Sequence, residues 1–227
     1  MRFIKVFKPL TVIATVIILF ISGSAFAQDK QQRRIDAATA AITDFQKMKE
    51  SIPSELLALT QGIVIIPKLI NAGFVVGGKR GRGVAMIKKS DGSWSNPVFI
   101  TMTGGSVGPQ IGIQSVDLVL VFKHASSLSD IKKSSFTLGG DLSVSAGPVG
   151  RSSTANTDYK LDAEVYSYSR SKGLFAGISL NGASLAIDQD ANSEFYGQRM
   201  SVKEIFSARN STEENVQKLK SSLSDLK

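Results

Sequence analysis

A run of glycines and basic residues, from Gly73 to Gly83, contains the side chains most able to do chemistry in this chain. Gly73 and Gly78 followed by Lys79 have the spacing of a nucleotide-binding phosphate loop, in which backbone amides hold phosphate oxygens. That motif needs serine or threonine after the lysine to bind Mg²⁺, and this chain has Arg80 there. A strand is also predicted where the motif requires a helix. We therefore interpret the segment as a glycine-rich turn between two strands.

The same segment predicts contact with a phosphate group. Its cations would supply charge, and its glycines would let backbone N–H groups approach the phosphate. The candidate residues for this contact are Lys79, Arg80, Arg82, Gly78 and Gly81, with Arg151, Arg170 and Lys172 as secondary candidates. A basic loop that only aids solubility is the alternative interpretation.

Residues that could support catalysis or metal binding are scarce. His124 is the only histidine, it follows an apolar run at a predicted loop, and there is no cysteine and no G-x-S-x-G motif. Asp188, Asp190, Asn192 and Glu194 lack the glycine and the spacing of a calcium loop, so helix capping explains them better. We predict no enzyme, no cofactor and no metal site.

The N-terminus has the pattern of a secretory signal peptide. A basic start precedes the apolar run from Leu10 to Ile21, and Ala25-Phe26-Ala27 forms an A-x-A cleavage site. The net charge of the whole chain is +8, and loss of three basic and no acidic residues in segment 1–27 leaves +5. An uncleaved membrane anchor is the alternative. We predict a signal peptide over 1–27, one domain over 28–227, and export, with the periplasm as the expected compartment or secretion as the alternative.

Strand patterns occupy the middle of the mature chain and helical patterns its two ends. We predict a helix over 30–50, strands on either side of the glycine-rich turn, and a hairpin around Asn181-Gly182. A capping box at Ser211 and Glu214 would open a C-terminal helix. Because helices and strands do not alternate, the fold class is α+β, with a curved, barrel-like antiparallel sheet and helices at both termini.

Two features allow more than one interpretation. The 30–50 helix is amphipathic with basic residues leading, which fits packing on the sheet or contact with a membrane surface. Tyr166 and Tyr168 lie on the polar side of their predicted strand. They are either aromatic side chains at a membrane interface or partly buried beside a helix.

Several segments, in order and with their spacing, resemble the SYLF-domain family. They are Lys68–Gly83, Phe99–Gln114, Asp117–Phe122, Ala146–Arg151, Glu164–Arg170, Gly173–Gly177 and Phe195–Gly197. The resemblance extends from about Leu56 to Phe206. It implies a domain that binds phospholipids, especially phosphoinositides, and that in some eukaryotic members also binds actin.

These observations together predict an exported, non-catalytic module that recognises anionic phospholipid or a membrane surface. The alternative is a structural or protein-interaction domain of the cell envelope that uses the same glycine-rich surface for a protein partner. Export would separate the chain from cytoplasmic actin, so we do not expect actin as its partner. The modest positive charge lacks the dense basic stripe of a nucleic-acid-binding protein.

Overall fold

The computed structural model describes residues 29–48, 52–129, 135–147, 162–171, 174–175 and 178–226. The helices are α1 over 29–46, α2 Ser54–Leu59, α3 Ser126–Ser129, α4 Gln189–Tyr196, α5 Val202–Ser207 and α6 Glu214–Ser224. The strands are β1 Gly62–Ile87, β2 Val98–Phe122, β3 Ser135–Thr137, β4 Val144–Ala146, β5 Val165–Ser171, β6 Leu174–Phe175 and β7 Ser184–Ile187.

A long antiparallel hairpin of β1 and β2 is the frame of the sheet. It pairs from Gly62 opposite Phe122 to Ala85 opposite Val98. The first part of β2 also pairs with β7, and its last part pairs with β5. β3 continues the sheet beyond β7, and β4 continues it beyond β5. All of these pairings are antiparallel except that of β4 with β5.

The hairpin curls back on itself at its glycines. A Cβ on Gly73 would overlap the backbone of Gly77, and a Cβ on Gly83 would overlap the carbonyl oxygen of Ile65. The backbone N–H of Lys88, just after β1, donates to the carbonyl of Gln61 just before it, at 2.9 Å. The two ends of β1 therefore lie side by side, which only residues without a side chain permit at these crossings.

Both faces of the curled sheet are buried. One face packs against α1, α2 and α6 through apolar side chains that include Ile42, Phe45 and Leu219. The opposite face lies inside the curl, where Leu118, Leu120 and Phe122 pack with residues of β7 and α5. The near-continuous apolar run of β2 reflects this burial on two sides.

The predicted α+β class, the curved sheet and the terminal helices are confirmed. The N-terminal helix packs on the sheet, with Ile35, Ala38 and Ile42 fully buried, as the first of its two interpretations predicts. Tyr166 and Tyr168 are buried in the same core, not exposed as interface aromatics.

Three local predictions are wrong. Segment 79–83 is continuous strand and not a turn, because its inward residues pack against the other half of β1. The turn at Asn181-Gly182 forms, with Gly182 at φ 77°, but β7 then pairs with β2 and β3. The capping box lies at Ser201 and Glu204, at the start of α5, and not at Ser211.

The predicted signal peptide lies outside the described residues. Among the helices of the described ranges, none is long and apolar enough to cross a membrane.

Candidate functional site

One face of β1 forms an exposed strip that changes from apolar to basic along its length. Val76, Gly78, Arg80 and Arg82 are exposed, whereas the alternate residues Lys79, Gly81 and Gly83 are buried. This alternation follows from the two-residue period of a strand. Opposite the strip on β2 lie Gly105, Thr103 and Thr101. We call these seven residues the outer strip: Val76, Gly78, Arg80, Arg82, Thr101, Thr103 and Gly105.

The two arginines of the outer strip have no carboxylate partner among the described residues. Their Cα atoms are two residues apart on one strand, about 6.7 Å, so both guanidinium groups can reach one anionic group or two neighbouring ones. Thr101 and Thr103 place two hydroxyl groups across from them. Planar guanidinium groups bind phosphate oxygens in bidentate geometry, so this arrangement suits a phosphate monoester or diester.

Lys79 is directed away from the outer strip. Its side chain is only 5% exposed, and its Nζ donates to the carbonyl of Ser179. Burial lowers the pKa of the Lys79 amine. The structure therefore separates Lys79 from Arg80 and Arg82, since neighbouring residues of a strand face opposite sides.

The two candidate glycines have different environments. A Cβ on Gly81 would press on the side chains of Ile66 and Leu69, so this glycine permits close packing inside the curl. Gly78 faces outward, and the atom nearest to the position its Cβ would take is the carbonyl oxygen of Gly104, at 3.8 Å. Both residues belong to a strand paired with β2. A phosphate placed on the outer strip would therefore meet arginine side chains rather than a loop of free N–H groups.

Arg170 holds three parts of the fold together. Its Nη2 lies 2.8 Å from Asp44 of α1 and 2.6 Å from Asp117 of β2. The other oxygen of Asp117 accepts the N–H of Lys68 at 3.0 Å, in the bulge of β1 where Lys68 has φ 51°. The remaining secondary candidates, Arg151 and Lys172, lie outside the described residues.

Exposed apolar side chains gather where the hairpin bends. Val76 is 68% exposed, Ile113 is 80% exposed and Leu174 is 73% exposed. Ile113 pairs with Ala72 at the bend, and Leu174 pairs with Ser171, whose hydroxyl donates to the carbonyl of Ser115. We call the residues Ile70, Val76, Ile113 and Leu174 the apolar bend. Exposed apolar side chains on these neighbouring segments make the bend a candidate interaction surface.

The other residues considered for chemistry have structural positions. His124 lies exposed in the loop after β2. Asp188 caps α4 by accepting the N–H of Ala191 at 3.3 Å, and Asn192 bridges Asp188 to Phe99. Across the described ranges, no group of three His, Cys, Asp or Glu residues could hold a metal ion.

The sequence patterns missed a buried arginine of α1. Arg34 donates to Asp188 at 2.8 Å and to the carbonyls of Ile100 at 2.9 Å and Gly83 at 3.3 Å. Its guanidinium lies 5.0 Å from the centroid of the Phe99 ring. Burial lowers the pKa of Arg34, and the hydrogen bond to Asp188 opposes that shift.

A second group that the sequence patterns missed is a pair of lysines, one in the turn after β1 and one in α6, that meet at Asn210. Lys220 and Lys89 both donate to Oδ1 of Asn210, each at 3.0 Å, and Lys220 also reaches Asn96 at 3.2 Å. Burial lowers the pKa of Lys220 to about 8, and the charge of Lys89 acts in the same direction. The burial of Lys220 could have been predicted from helical spacing, because this residue lies on the same face of α6 as Val216 and Leu223.

Comparison with known proteins finds one matching family and several relatives. The family Ysc84, described as "Las17-binding protein actin regulator", matches residues 103–226. LAS seventeen-binding protein 3 of Saccharomyces cerevisiae is 38% identical over 161 residues, 70% of this chain and 35% of the yeast protein. SH3 domain-containing YSC84-like protein 1 of Homo sapiens is 33% identical over 180 residues, 79% of this chain and 52% of the human protein. The chain thus spans between a third and about half of these relatives.

Proposed function

We propose that this chain, which belongs to the Ysc84 family, is a non-catalytic module that binds anionic phospholipid. The Ysc84 family is the SYLF-domain family that the motifs of the chain resemble. The observation that carries this proposal is the outer strip, in which Arg80 and Arg82 are exposed without a carboxylate partner in the described residues. Their guanidinium groups would hold headgroup phosphates, and the hydroxyls of Thr101 and Thr103 would add hydrogen bonds.

The apolar bend supports the same proposal. Val76 begins the outer strip, so an apolar side chain and two cations lie on one strand face. A membrane surface offers phosphates above hydrocarbon, and a protein surface with both features suits it. Lys79 and Arg170 have no direct part in this contact, because their charged groups are held by Ser179 and by two carboxylates.

A liposome sedimentation experiment tests the headgroup contact. The chain from Gln28 onward, which retains every described element, is mixed with anionic or zwitterionic vesicles at low and high salt. We expect binding that requires anionic lipid and that falls about 30-fold in R80A/R82A, since each cation near a membrane surface contributes roughly 1 kcal/mol. The control R199A/R209A removes two exposed arginines elsewhere. Equal losses of binding in both variants would mean that the net positive charge, and not the outer strip, attracts the vesicles. Absence of binding to any vesicle would refute the lipid proposal.

We infer that the chain reaches this lipid by export to the periplasm. The inference rests on the basic start, the apolar run and the A-x-A site of residues 1–27. The measurement is the mass and N-terminal sequence of the protein recovered from each cell fraction, with Gln28 as the expected first residue. An intact Met1 in the cytoplasmic fraction would contradict export.

A protein partner is the second candidate, and the description of the family as Las17-binding actin regulators favours it. The partner would contact the same outer strip and apolar bend. Co-sedimentation with filamentous actin tests the family's described role directly, with R80A/R82A and R199A/R209A as the matched pair. Export predicts an envelope protein as the partner and no actin binding, so actin binding that R199A/R209A keeps and R80A/R82A loses would argue against the periplasmic assignment.

A further inference from the structure

A cavity of about 190 Å³ lies between the end of the hairpin and the C-terminal helix, away from the outer strip. Its apolar wall comes from four elements: α2, the start of β1, the turn after β1, and the end of α6. The wall residues are Leu57, Ile63, Trp94, Leu223 and Leu226, with Lys88 beside them. The volume is somewhat larger than the roughly 150 Å³ of an apolar cavity that accepts a benzene ring.

The polar groups of this cavity favour an anion over a neutral polar ligand. The Lys88 ammonium lies 5.8 Å from the centroid of the Trp94 ring, and within the described residues it forms no ion pair. The two hydroxyl groups in the wall are already used as donors, Thr60 to Leu56 at 2.8 Å and Ser224 to Lys220 at 3.0 Å. Lys88 therefore supplies the charged donor of the described wall, beside the indole N–H of Trp94.

The charges around the cavity point the same way. Lys89 and Lys220 lie behind the turn and share Asn210, so three ammonium groups surround this end of the fold. Asp91 is the acidic residue of the turn, and its carboxylate is engaged by the N–H and the hydroxyl of Ser93 at 2.9 and 2.7 Å. Asp225 lies between the wall residues Ser224 and Leu226, so three ammonium groups face two carboxylates among the described residues beside the cavity, and this positive balance favours an anionic ligand.

The rim of the cavity is open to a ligand. Gly92 has φ 80° in the turn, and nothing lies within 4 Å of the position a Cβ would take. Trp94 itself is almost fully buried, so its ring forms the floor and not the mouth. A ligand would enter past Gly92 and Ser224 and lay its apolar part against Trp94.

We propose that this cavity is a binding site for a small apolar monocarboxylate, with the carboxylate on Lys88 and the apolar part against Trp94. The volume accepts a body of about six to eight carbon atoms, such as a medium-length acyl chain. Burial of that body supplies most of the affinity, and the charge-assisted hydrogen bond to Lys88 selects the carboxylate. This site is separate from the proposed phospholipid surface and does not depend on it.

Fluorescence tests the proposal directly, because Trp94 is the only tryptophan in the chain. The protein from Gln28 onward is titrated with octanoate and with octan-1-ol, which has the same chain length and no charge, and calorimetry repeats both titrations. We expect octanoate to change the Trp94 emission with a dissociation constant on the order of 0.1 mM, and octan-1-ol to bind at least about tenfold more weakly. Equal binding of both ligands, or no heat and no emission change up to about 5 mM octanoate, would overturn the proposal.

Two variants and one control locate the ligand. Lys88→Gln should weaken octanoate about tenfold and leave octan-1-ol unchanged, because only the carboxylate loses its partner. Ser224→Phe, at an exposed position of the rim, should block both ligands. Lys218→Gln removes an exposed charge of α6 that pairs with Glu214, and it should change neither. Octanoate binding that survives both Lys88→Gln and Ser224→Phe in folded protein would place the ligand elsewhere and refute the site.

Discussion

The turn of the curled hairpin, which we call the fixed end, and the bend midway along its strands, which we call the open end, differ in how they are held. At the turn between β1 and β2, residues 88–97 are tied to the C-terminal segment through Asn96, Lys89 and Lys220, and Trp94 is buried. At the bend, Val76 and Ile113 project into solvent. The same two strands are thus fixed by side-chain contacts at the turn and left open at the bend. Packing in the core explains why Trp94 is apolar at the turn, whereas Val76 and Ile113 at the bend are apolar without being packed.

The curl that brings these ends into their positions depends on glycine. We expect Gly83→Ala to lower the free energy of unfolding by about 3 kcal/mol or more, because its methyl group would overlap the carbonyl oxygen of Ile65 and the backbone would have to move. Gly105→Ala is the matched control, since no atom of the described residues lies within 4 Å of its Cβ position, and it should change stability by less than about 0.5 kcal/mol. Denaturant unfolding measures both. Similar values for the two variants would mean that the halves of β1 do not cross as closely as described.

Arg34 links α1 to both strands of the hairpin near its fixed end. We expect Arg34→Ala to destabilise by about 2 to 3 kcal/mol, because it leaves Asp188 and two backbone carbonyls without their donor in a buried setting. Arg33→Ala, one position earlier, removes an exposed arginine paired with Asp29 and should have little effect. If both variants unfold at the same denaturant concentration, the buried network does not hold α1 on the sheet.

The sequence predicted what depends on local pattern. The α+β class, α1 and the turn glycine Gly182 followed from periodicity and turn chemistry. The continuity of β1 through 79–83 did not, because a glycine-rich segment favours a turn until a second strand packs against it. The same long-range packing directs Lys79 inward and leaves Arg80 outside, and no local pattern distinguishes these neighbours before the register is known.

The lysine pair of the fixed end predicts a pH dependence of stability. The pKa of Lys220 is about 8 in the folded protein and higher in the unfolded chain, so between pH 8 and about 10 the unfolded chain holds more protons. The free energy of unfolding should therefore rise with pH in this window, and Lys79, whose pKa is also lowered, adds to the rise. Above about pH 10 the trend should reverse, because burial raises the pKa of Tyr168 and Tyr196 and the unfolded chain loses those protons first.

Lys220→Met isolates the contribution of this amine. Between pH 8 and 10, the free energy of unfolding of this variant should rise by about 1 kcal/mol less than that of the wild type. This difference is smaller than the full pKa shift would give, because solvent partly screens the cluster. Lys218→Met, on the exposed side of the same helix, is the control. Parallel pH profiles for wild type and Lys220→Met would show that Lys220 keeps its ordinary pKa in the folded protein.

The open end should have almost no effect on stability and a clear effect on binding. Ile113 is 80% exposed, so Ile113→Ser removes few contacts and should change the free energy of unfolding by less than about 0.5 kcal/mol. If the bend enters the membrane, the same change removes about 1.5 to 2 kcal/mol of apolar burial and weakens vesicle binding about 10- to 30-fold. Leu59→Ser, at an exposed apolar residue of α2, should leave vesicle binding unchanged. Loss of stability in Ile113→Ser with unchanged vesicle binding would reverse the comparison, since the bend would then contribute to the fold and not to an interaction.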